Sequence, residues 1–146
     1  MSKIKRILHP TDFSRASGAA LARAVAMAKA ERAELLIVHV MSLTFPLMGD
    51  GYVSPKVYEE MEASTRAYAD KQLGRVLARA RKAGVRARTL LLSGVPYEQI
   101  VRASRRADLV VMGTHGRAGL ARFFLGSVAE RVVTNARCPV LTVRGK

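Results

Sequence analysis

A glycine-rich segment directly after an apolar run is the part of this chain best suited to binding chemistry. Residues 109–112 read LVVM, residues 113–127 read GTHGRAGLARFFLGS, and the helical pattern SVAERVV begins at the end of that segment. Glycines allow backbone amides to approach an anion without an intervening Cβ, and the first amides of a helix point at the same place. The pattern therefore predicts a strand, a phosphate-binding loop and a helix start.

The loop glycines have a defined spacing: Gly113, two residues, Gly116, nine residues, and then Gly126 with Ser127. There is no G-x-x-x-x-G-K-[ST] motif and the loop contains no lysine, so it is not a Walker A loop. Ser127 has a second interpretation, because Ser127 and Glu130 fit the S-x-x-E capping box that closes a helix start without a ligand. Both interpretations stay open, since an anion can bind the Ser127 amide while Glu130 reaches back.

Other loop side chains supply nitrogen donors. We interpret His115 as lying next to the ligand, whereas Arg117 and Arg122 either neutralise phosphate charge or remain in solvent. His9 and His39 fall inside strand patterns. They are predicted to be packed, satisfied histidines rather than ligands.

Asp12 is the carboxylate predicted to lie in the same cleft. It follows Pro10 just past the first predicted strand, where it can accept hydrogen bonds from a sugar or from adenine, or hold a phosphate-bound magnesium ion through water. Ser14 is better placed to cap the following helix, which leaves Asp12 free, while Asp108 at the other end of its strand is predicted to be structural. No second carboxylate accompanies Asp12, so rapid hydrolysis of a nucleotide is not expected.

Strand and helix patterns alternate along the chain. The predicted strands cover residues 3–9, 34–41, 85–93, 107–113 and 139–143, and the predicted helices follow Ser14, span about 55–83, open at Pro96 and span about 127–136. Strands that are apolar throughout are typical of a parallel sheet covered on both faces. This predicts one α/β domain over residues 1–146, a doubly wound five-stranded parallel sheet with four helices on two faces. If the first strand is central, with strands two and three on one side and strands four and five on the other, the order is 3-2-1-4-5.

That strand order brings distant motifs together. Ligands of open α/β sheets bind beyond the carboxyl ends of the strands at the point where the order reverses, which here lies between strands one and four. Those ends carry HPTD (residues 9–12) and GTHG (residues 113–116), and Val40 at the end of strand two forms a wall beside them.

The chain is strongly basic, with 25 Lys and Arg against 11 Asp and Glu and a formal net charge of +14. Such a charge attracts polyanions, yet the basic residues are scattered along helical segments, which favours solvated helix faces.

The single cysteine, Cys138, excludes an internal disulfide, and no segment has the length of a signal peptide or a membrane span. We therefore expect a cytoplasmic protein without a membrane partner.

The chain resembles the universal stress protein family over essentially its whole length. The resemblance rests on ILHPTDFS near the start, on IVHV, on the G-x-x-G spacing followed after nine residues by GS, and on the closing CPVLTVR. It implies an adenine nucleotide alpha hydrolase-like fold, a homodimer, and the branch of the family that binds ATP, usually with a divalent metal such as Mg²⁺. The contact positions that it implies are Pro10, Thr11, Asp12, Val40, Met112, Gly113, Gly116, Gly126, Ser127 and Val128. His115 and Arg117 of the loop complete the set of predicted contact residues.

The fifth strand is predicted to be a short apolar sheet edge. Pairing with its copy across a two-fold axis would cover that edge, which predicts a homodimer through residues 139–144.

The leading hypothesis is thus a homodimeric ATP-binding protein with a regulatory role in stress rather than an enzyme. A slow ATPase or self-phosphorylating protein, and a basic nucleic-acid-binding module, are the alternatives.

Overall fold

The computed structural model describes residues 3–42, 54–114 and 126–145, in which strands and helices alternate as predicted. In chain order the elements are β1 Arg6–Pro10, α1 Arg15–Glu31, β2 Glu34–Met41, α2 Pro55–Lys82, β3 Ala87–Ser93, α3 Pro96–Ser104, β4 Leu109–Gly113, α4 Ser127–Asn135 and β5 Val140–Val143. The strands form one sheet of order β3-β2-β1-β4-β5 in which every neighbouring pair is parallel. The predicted fold class and strand order are confirmed.

Neighbouring residues of the central strands face opposite sides of the sheet and build two separate cores. Ile7 of β1 packs in a cluster with residues of α1 and α2, whereas Leu8 packs in a cluster with residues of α3 and α4. Both faces of the sheet are therefore covered by helices. This double burial explains why β1, β2 and β4 are apolar nearly throughout.

The helix ends follow the local sequence signals. Ser14 is the N-cap of α1, and its Oγ accepts a hydrogen bond from the Ser17 amide at 3.2 Å. Gly84 follows α2 with a φ of +90°, a left-handed conformation that glycine adopts readily. The predicted cap at Ser14 and the predicted helix end at Gly84 are confirmed.

Some predicted strands start too early. β1 begins at Arg6 rather than at residue 3, because the Asp108 carboxylate accepts the amides of Lys5 and Arg6 at 2.9 and 3.0 Å. β3 begins at Ala87 rather than at residue 85, where the Val85 amide still donates to Ala80 of α2 at 3.2 Å. Asp108 is therefore structural, as predicted. It lies just before β4, at the amino ends of the strands, whereas the cleft lies at their carboxyl ends.

The basic side chains of the described helices lie in solvent. Arg75, Arg79, Arg102, Arg105 and Arg106 are all exposed, which agrees with the solvated faces predicted from their scattering along the chain. Across the described segments, no helix combines the length and the apolar character needed to cross a bilayer.

Candidate functional site

A cavity of about 450 Å³ lies beyond the carboxyl ends of β1, β2 and β4. The predicted contact residues that line it are Pro10, Thr11, Asp12, Val40, Met112, Gly113, Gly126, Ser127 and Val128. The other three, His115, Gly116 and Arg117, lie outside the described residues. The sheet thus brings together segments that are about a hundred residues apart in the sequence, and they meet at the place predicted from the strand order.

The position of the cavity follows from the chain path. β1 pairs with β2 on one side and with β4 on the other, and both pairings are parallel. The connections from these strands leave in opposite directions, which opens a crevice between their ends. Residues of α3 and the first turn of α4 close its remaining sides.

Asp12 is anchored by the first turn of α1. Its Oδ1 accepts the Ser17 hydroxyl at 2.7 Å and the Ser14 amide at 3.0 Å, and its own amide donates to Ser17 Oγ at 3.1 Å. Sequence reasoning assigned the cap correctly to Ser14 but missed Ser17, which is buried and lines the cavity. The prediction that Asp12 is left free is wrong in part, because α1 binds one of its two carboxylate oxygens. A serine inside a helix carries no signal of its own, since only the folded turn brings it to the carboxylate.

The start of α4 corrects one interpretation of Ser127. The N-cap is Gly126, Ser127 is the first helical residue, and no side chain in the described parts of the chain caps the helix. The S-x-x-E capping box is therefore not formed, because Ser127 lies one position too far into the helix. The amide of Glu130 instead donates to the Gly126 carbonyl at 2.9 Å, and Ser127 and Val128 face the cavity from an N-terminus that lacks a side-chain cap.

The two described loop glycines are required by close backbone packing. A Cβ at Gly113 would lie 2.7 Å from the carbonyl carbon and oxygen of Ala16 in α1, and a Cβ at Gly126 would lie 2.7 Å from the Thr114 carbonyl oxygen. The Gly126 amide also donates to that oxygen. Sequence analysis attributed these glycines to the approach of an anion, whereas the missing Cβ atoms face other parts of the backbone.

Thr114 is a second cavity residue that sequence reasoning did not single out. It is buried, and within the described parts of the chain its Oγ1 has no hydrogen-bond partner. Its amide donates to Val143 of β5 at 3.1 Å, so the residue is fixed at the end of β4. A buried hydroxyl without a partner costs free energy, and Thr114 lines the cavity although its Oγ1 is itself shielded from solvent in the described structure.

The two strand histidines differ. His39 lies within 2.8 Å of the Thr11 carbonyl through Nδ1, its ring centroid is 4.4 Å from that of Phe13, and it lines the cavity. His9 is fully buried, and its Nδ1 lies 2.9 Å from the Val111 carbonyl, so Nδ1 carries the proton. The prediction that His9 is satisfied is wrong in part, because its Nε2 has no partner in the described segments.

Burial controls the charge of His9. Removal of the ring from water lowers its pKa to about 4, although the hydrogen bond to Val111 and the charge of Asp12 act in the opposite direction. The ring is therefore neutral at pH 7. Its Nε2 then offers a lone pair, which can only accept a hydrogen bond.

The described residues do not form a protein-only metal centre. They contain no group of three or more His, Cys, Asp and Glu side chains placed to hold an ion. Asp12 supplies the carboxylate of the cavity lining. A divalent cation at this site would therefore depend on phosphate oxygens and water for most of its ligands, which suits Mg²⁺ better than a transition metal.

These features define a doubly wound α/β protein with its pocket at the switch point of the sheet. The model of the universal stress protein family matches residues 3–144. The chain belongs to the universal stress protein family, as its sequence motifs suggested.

Similar proteins agree in sequence and in fold. A universal stress protein of Methanocaldococcus jannaschii is 39% identical over 142 residues, covering 96% of this chain and 82% of the relative. The structure of universal stress protein UspA from Lactobacillus plantarum superposes with a TM-score of 0.84 at 25% identity, covering 99% of this chain and 100% of the other. A universal stress protein in complex with cAMP superposes with a TM-score of 0.73 at 26% identity, again covering 99% and 100%.

Proposed function

We propose that this protein binds ATP with Mg²⁺ in the cavity at the ends of β1, β2 and β4, and that occupancy by the nucleotide is a regulatory signal. The observation that carries the proposal is the pairing of two features on one cavity wall. The first is the start of α4, which no side chain of the described residues caps, and the second is Thr114, whose hydroxyl lies just beneath the cavity surface and has no partner in the described chain. Both features call for a polar, anionic ligand.

The cavity offers different chemistry at its two ends. Val38 and Val40 of β2 and Ile100 of α3 supply apolar surface that suits a purine base. At the other end, the amides of Ser127 and Val128 and the positive end of the α4 dipole suit phosphate oxygens. A nucleotide has the same polarity along its length, since an apolar ring system is joined through a sugar to anionic phosphates.

Asp12 is the residue best placed for the sugar or the cation. The Ser17 hydroxyl and the Ser14 amide are both bonded to Oδ1, so Oδ2 has no hydrogen-bond partner among the described residues. A fixed carboxylate with one available oxygen can accept sugar hydroxyls or orient water around Mg²⁺. When bound, the cation neutralises phosphate charge.

The same arrangement favours binding over turnover. Hydrolysis requires a group that positions or activates water opposite the leaving phosphate. Asp12 is the carboxylate among the described lining residues, and its Oδ1 is already held by α1. We therefore propose a nucleotide-binding protein rather than an efficient ATPase.

The comparisons support the choice of an adenine nucleotide. The relative solved in complex with cAMP aligns with nearly all of this chain at 26% identity. The choice of ATP over a nucleotide with fewer phosphates is the more specific part of the proposal. It rests on the glycine spacing of residues 113–127, which resembles the ATP-binding branch of the family, and on the start of α4, whose free amides suit phosphate oxygens.

Calorimetric titration with ATP and Mg²⁺ tests the proposal. We expect saturable binding by the wild type and at least roughly 10-fold weaker binding by Gly126→Ala, because the new Cβ would push the α4 start away from Thr114. Gly74→Ala is the matched control, since a Cβ at Gly74 meets no atom within 4 Å and should leave affinity unchanged. Absence of heat at millimolar ATP would contradict the proposal.

We also propose that β5 pairs with its copy in a homodimer. β5 is an outer strand of the sheet, and all four of its residues are only half-buried in the single chain. Pairing across a two-fold axis would satisfy the free edge. Light scattering should give twice the chain mass, and a monomer at micromolar concentration would reject the pairing.

A further inference from the structure

The fold gathers basic residues that are scattered along the sequence at one end of the sheet. All five strands are parallel, so their starts lie along a single edge, and each helix ends near that edge because it leads into the next strand. The cavity proposed for the nucleotide lies at the opposite end. We call the end with the strand starts the amino pole and define it as residues 3–6, 29–34, 79–88, 102–109 and 132–140.

The amino pole carries most of the excess positive charge. Its segments contain 14 of the 25 lysines and arginines but only 3 of the 11 acidic residues. The remainder of the sequence is nearly balanced, with 11 basic and 8 acidic residues. The pole therefore accounts for +11 of the formal net charge of +14.

Main-chain hydrogen bonds place the segments of the pole side by side. The Leu35 amide donates to the Arg86 carbonyl at 2.8 Å, and the Asp108 amide donates to the Arg6 carbonyl at 2.9 Å. Neighbouring strands of a sheet are about 4.8 Å apart, so the starts of five strands form a basic strip roughly 20 Å long.

Roles within the fold explain only half of these cations. Five lie in the last turn of a helix, where they stabilise the helix dipole. Arg6 and Arg88 both pair with Glu34. The other seven are exposed and form no ion pair with a described residue: Lys3, Lys5, Arg32, Arg86, Arg105, Arg106 and Arg137. Like charges gathered at one end repel one another, and an anionic partner would relieve that repulsion.

The residue types of the pole indicate which polyanion fits. Ten of the 14 cations are arginines, whose planar guanidinium binds phosphate through two N–H donors. The five segments contain no Phe, Tyr, Trp or His, so they lack both the rings on which unpaired bases stack and the aromatic anchors typical of a membrane-surface helix. Duplex nucleic acid instead presents phosphates alone on its outside, and a strip of roughly 20 Å matches about six base pairs.

We propose that the amino pole binds the phosphate backbone of duplex nucleic acid without sequence preference. The pole consists of helix ends, turns and strand starts, so no helix or strand is presented lengthwise to a groove and base edges are not read. The proposal does not rest on the nucleotide function proposed above, because the two sites lie at opposite ends of the sheet.

Fluorescence anisotropy of a labelled DNA duplex of about 20 base pairs, titrated with the full chain at several salt concentrations, tests the proposal. We expect the logarithm of the affinity to fall linearly with the logarithm of the salt concentration, by about 0.9 for each phosphate contacted. Duplexes of different sequence should bind equally well. No salt dependence, or tighter binding of a single strand of the same length, would overturn the proposal. Binding to phosphatidylserine vesicles under conditions in which the duplex stays free would overturn it in favour of a lipid surface.

Charge-matched variants locate the surface. Arg86→Gln with Arg106→Gln removes two unpaired cations of the pole and should weaken duplex binding at least roughly 10-fold, with a salt slope lower by about 2. Arg15→Gln with Lys56→Gln removes two exposed charges at the starts of α1 and α2, at the opposite end, and should change the slope by less than about 1. Equal effects of the two pairs would show attraction by net charge alone and would overturn the site.

A third variant separates the pole from the cavity. Gly126→Ala alters the cavity at the other end of the sheet, and Gly126 is not part of the pole. Duplex affinity should therefore be retained in Gly126→Ala even if nucleotide binding is lost. Loss of duplex binding in this variant would move the polyanion to the cavity and reject the pole.

Discussion

Ser17 and Asp12 hold each other in place at the boundary between β1 and α1. The Ser17 hydroxyl donates to Asp12 Oδ1 at 2.7 Å, and the Asp12 amide donates back to Ser17 Oγ at 3.1 Å. The carboxylate of the candidate site is thereby fixed by α1, which packs on the face of the sheet opposite to α3 and α4. The site depends on side chains that do not themselves need to contact a nucleotide.

Replacing Ser17 should weaken nucleotide binding without unfolding the protein. Ser17→Ala removes the hydroxyl that orients Asp12, and we expect about a 10-fold loss of ATP affinity by calorimetry, which corresponds to about 1.4 kcal/mol. Ser14→Ala is the matched control, because it removes the α1 cap and costs about 1 kcal/mol of stability while the main-chain bond to Asp12 remains. Equal losses of affinity in both variants would contradict the role assigned to Ser17.

Gly113 should tolerate no larger residue, for a reason that does not involve a ligand. A Cβ at this position would lie 2.7 Å from backbone atoms of Ala16, so Gly113→Ala must displace α1 from β4. We expect a loss of 1–3 kcal/mol, roughly the cost of overpacking, in urea unfolding without nucleotide.

Gly74→Ala makes the same chemical change as Gly113→Ala, but we expect it to raise stability rather than lower it. Gly74 lies inside α2, and a Cβ there meets nothing within 4 Å. This variant should be stabilised by up to about 1 kcal/mol, because alanine favours a helix more than glycine does. If both variants shifted stability in the same direction, close packing would not be the reason for Gly113.

Thr114→Val should separate stability from binding. The substitution removes a buried hydroxyl that has no partner in the described residues, so the free energy of unfolding of the ligand-free protein should stay the same or rise by about 1 kcal/mol. If the hydroxyl contacts the nucleotide, ATP affinity should fall about 10-fold in the same variant. Lower stability together with unchanged affinity would show that the hydroxyl serves the fold instead.

The buried His9 makes stability depend on pH. Its pKa is lowered to about 4 in the folded protein from an ordinary value of 6.5, so between these values the unfolded chain binds more protons. Stability is therefore lost as the pH falls through this window, by up to roughly 3 kcal/mol for a fully buried ring.

Urea unfolding of the wild type and His9→Gln between pH 7 and pH 4.5 measures this effect. The variant should be less stable at pH 7, because the fit of the ring is lost, but its stability should decline less on acidification. Parallel curves for the two proteins would show that other groups cause the dependence.

The periodicity of the chain was sufficient to predict the elements and the parallel sheet, and the strand order followed once the first strand was assumed to be central. Apolar runs such as ELLIVHVM predicted fully buried strands, and the helical patterns between them required parallel pairing, which leaves few topologies. The rule for ligands at the switch point then placed Asp12 and Gly113 at one site, and both line the cavity. The early predicted start of β1 was wrong because Asp108, and not a neighbouring strand, binds the amides of Lys5 and Arg6.

Contacts between elements could not be predicted from the sequence, because they depend on distances that no residue pattern encodes. The chain itself determined the sheet order, the helix caps at Ser14 and Gly84, and the segments that meet at the cleft, because these follow from local conformational preference and from which residues avoid water. Only the tertiary structure decided that Ser17 holds Asp12, that Ala16 requires glycine at position 113, and that one nitrogen of the buried His9 has no partner among the described residues. Hydrogen bonds and steric contacts act over a few ångströms, and residues far apart in sequence come within that range only once the helices pack on the sheet.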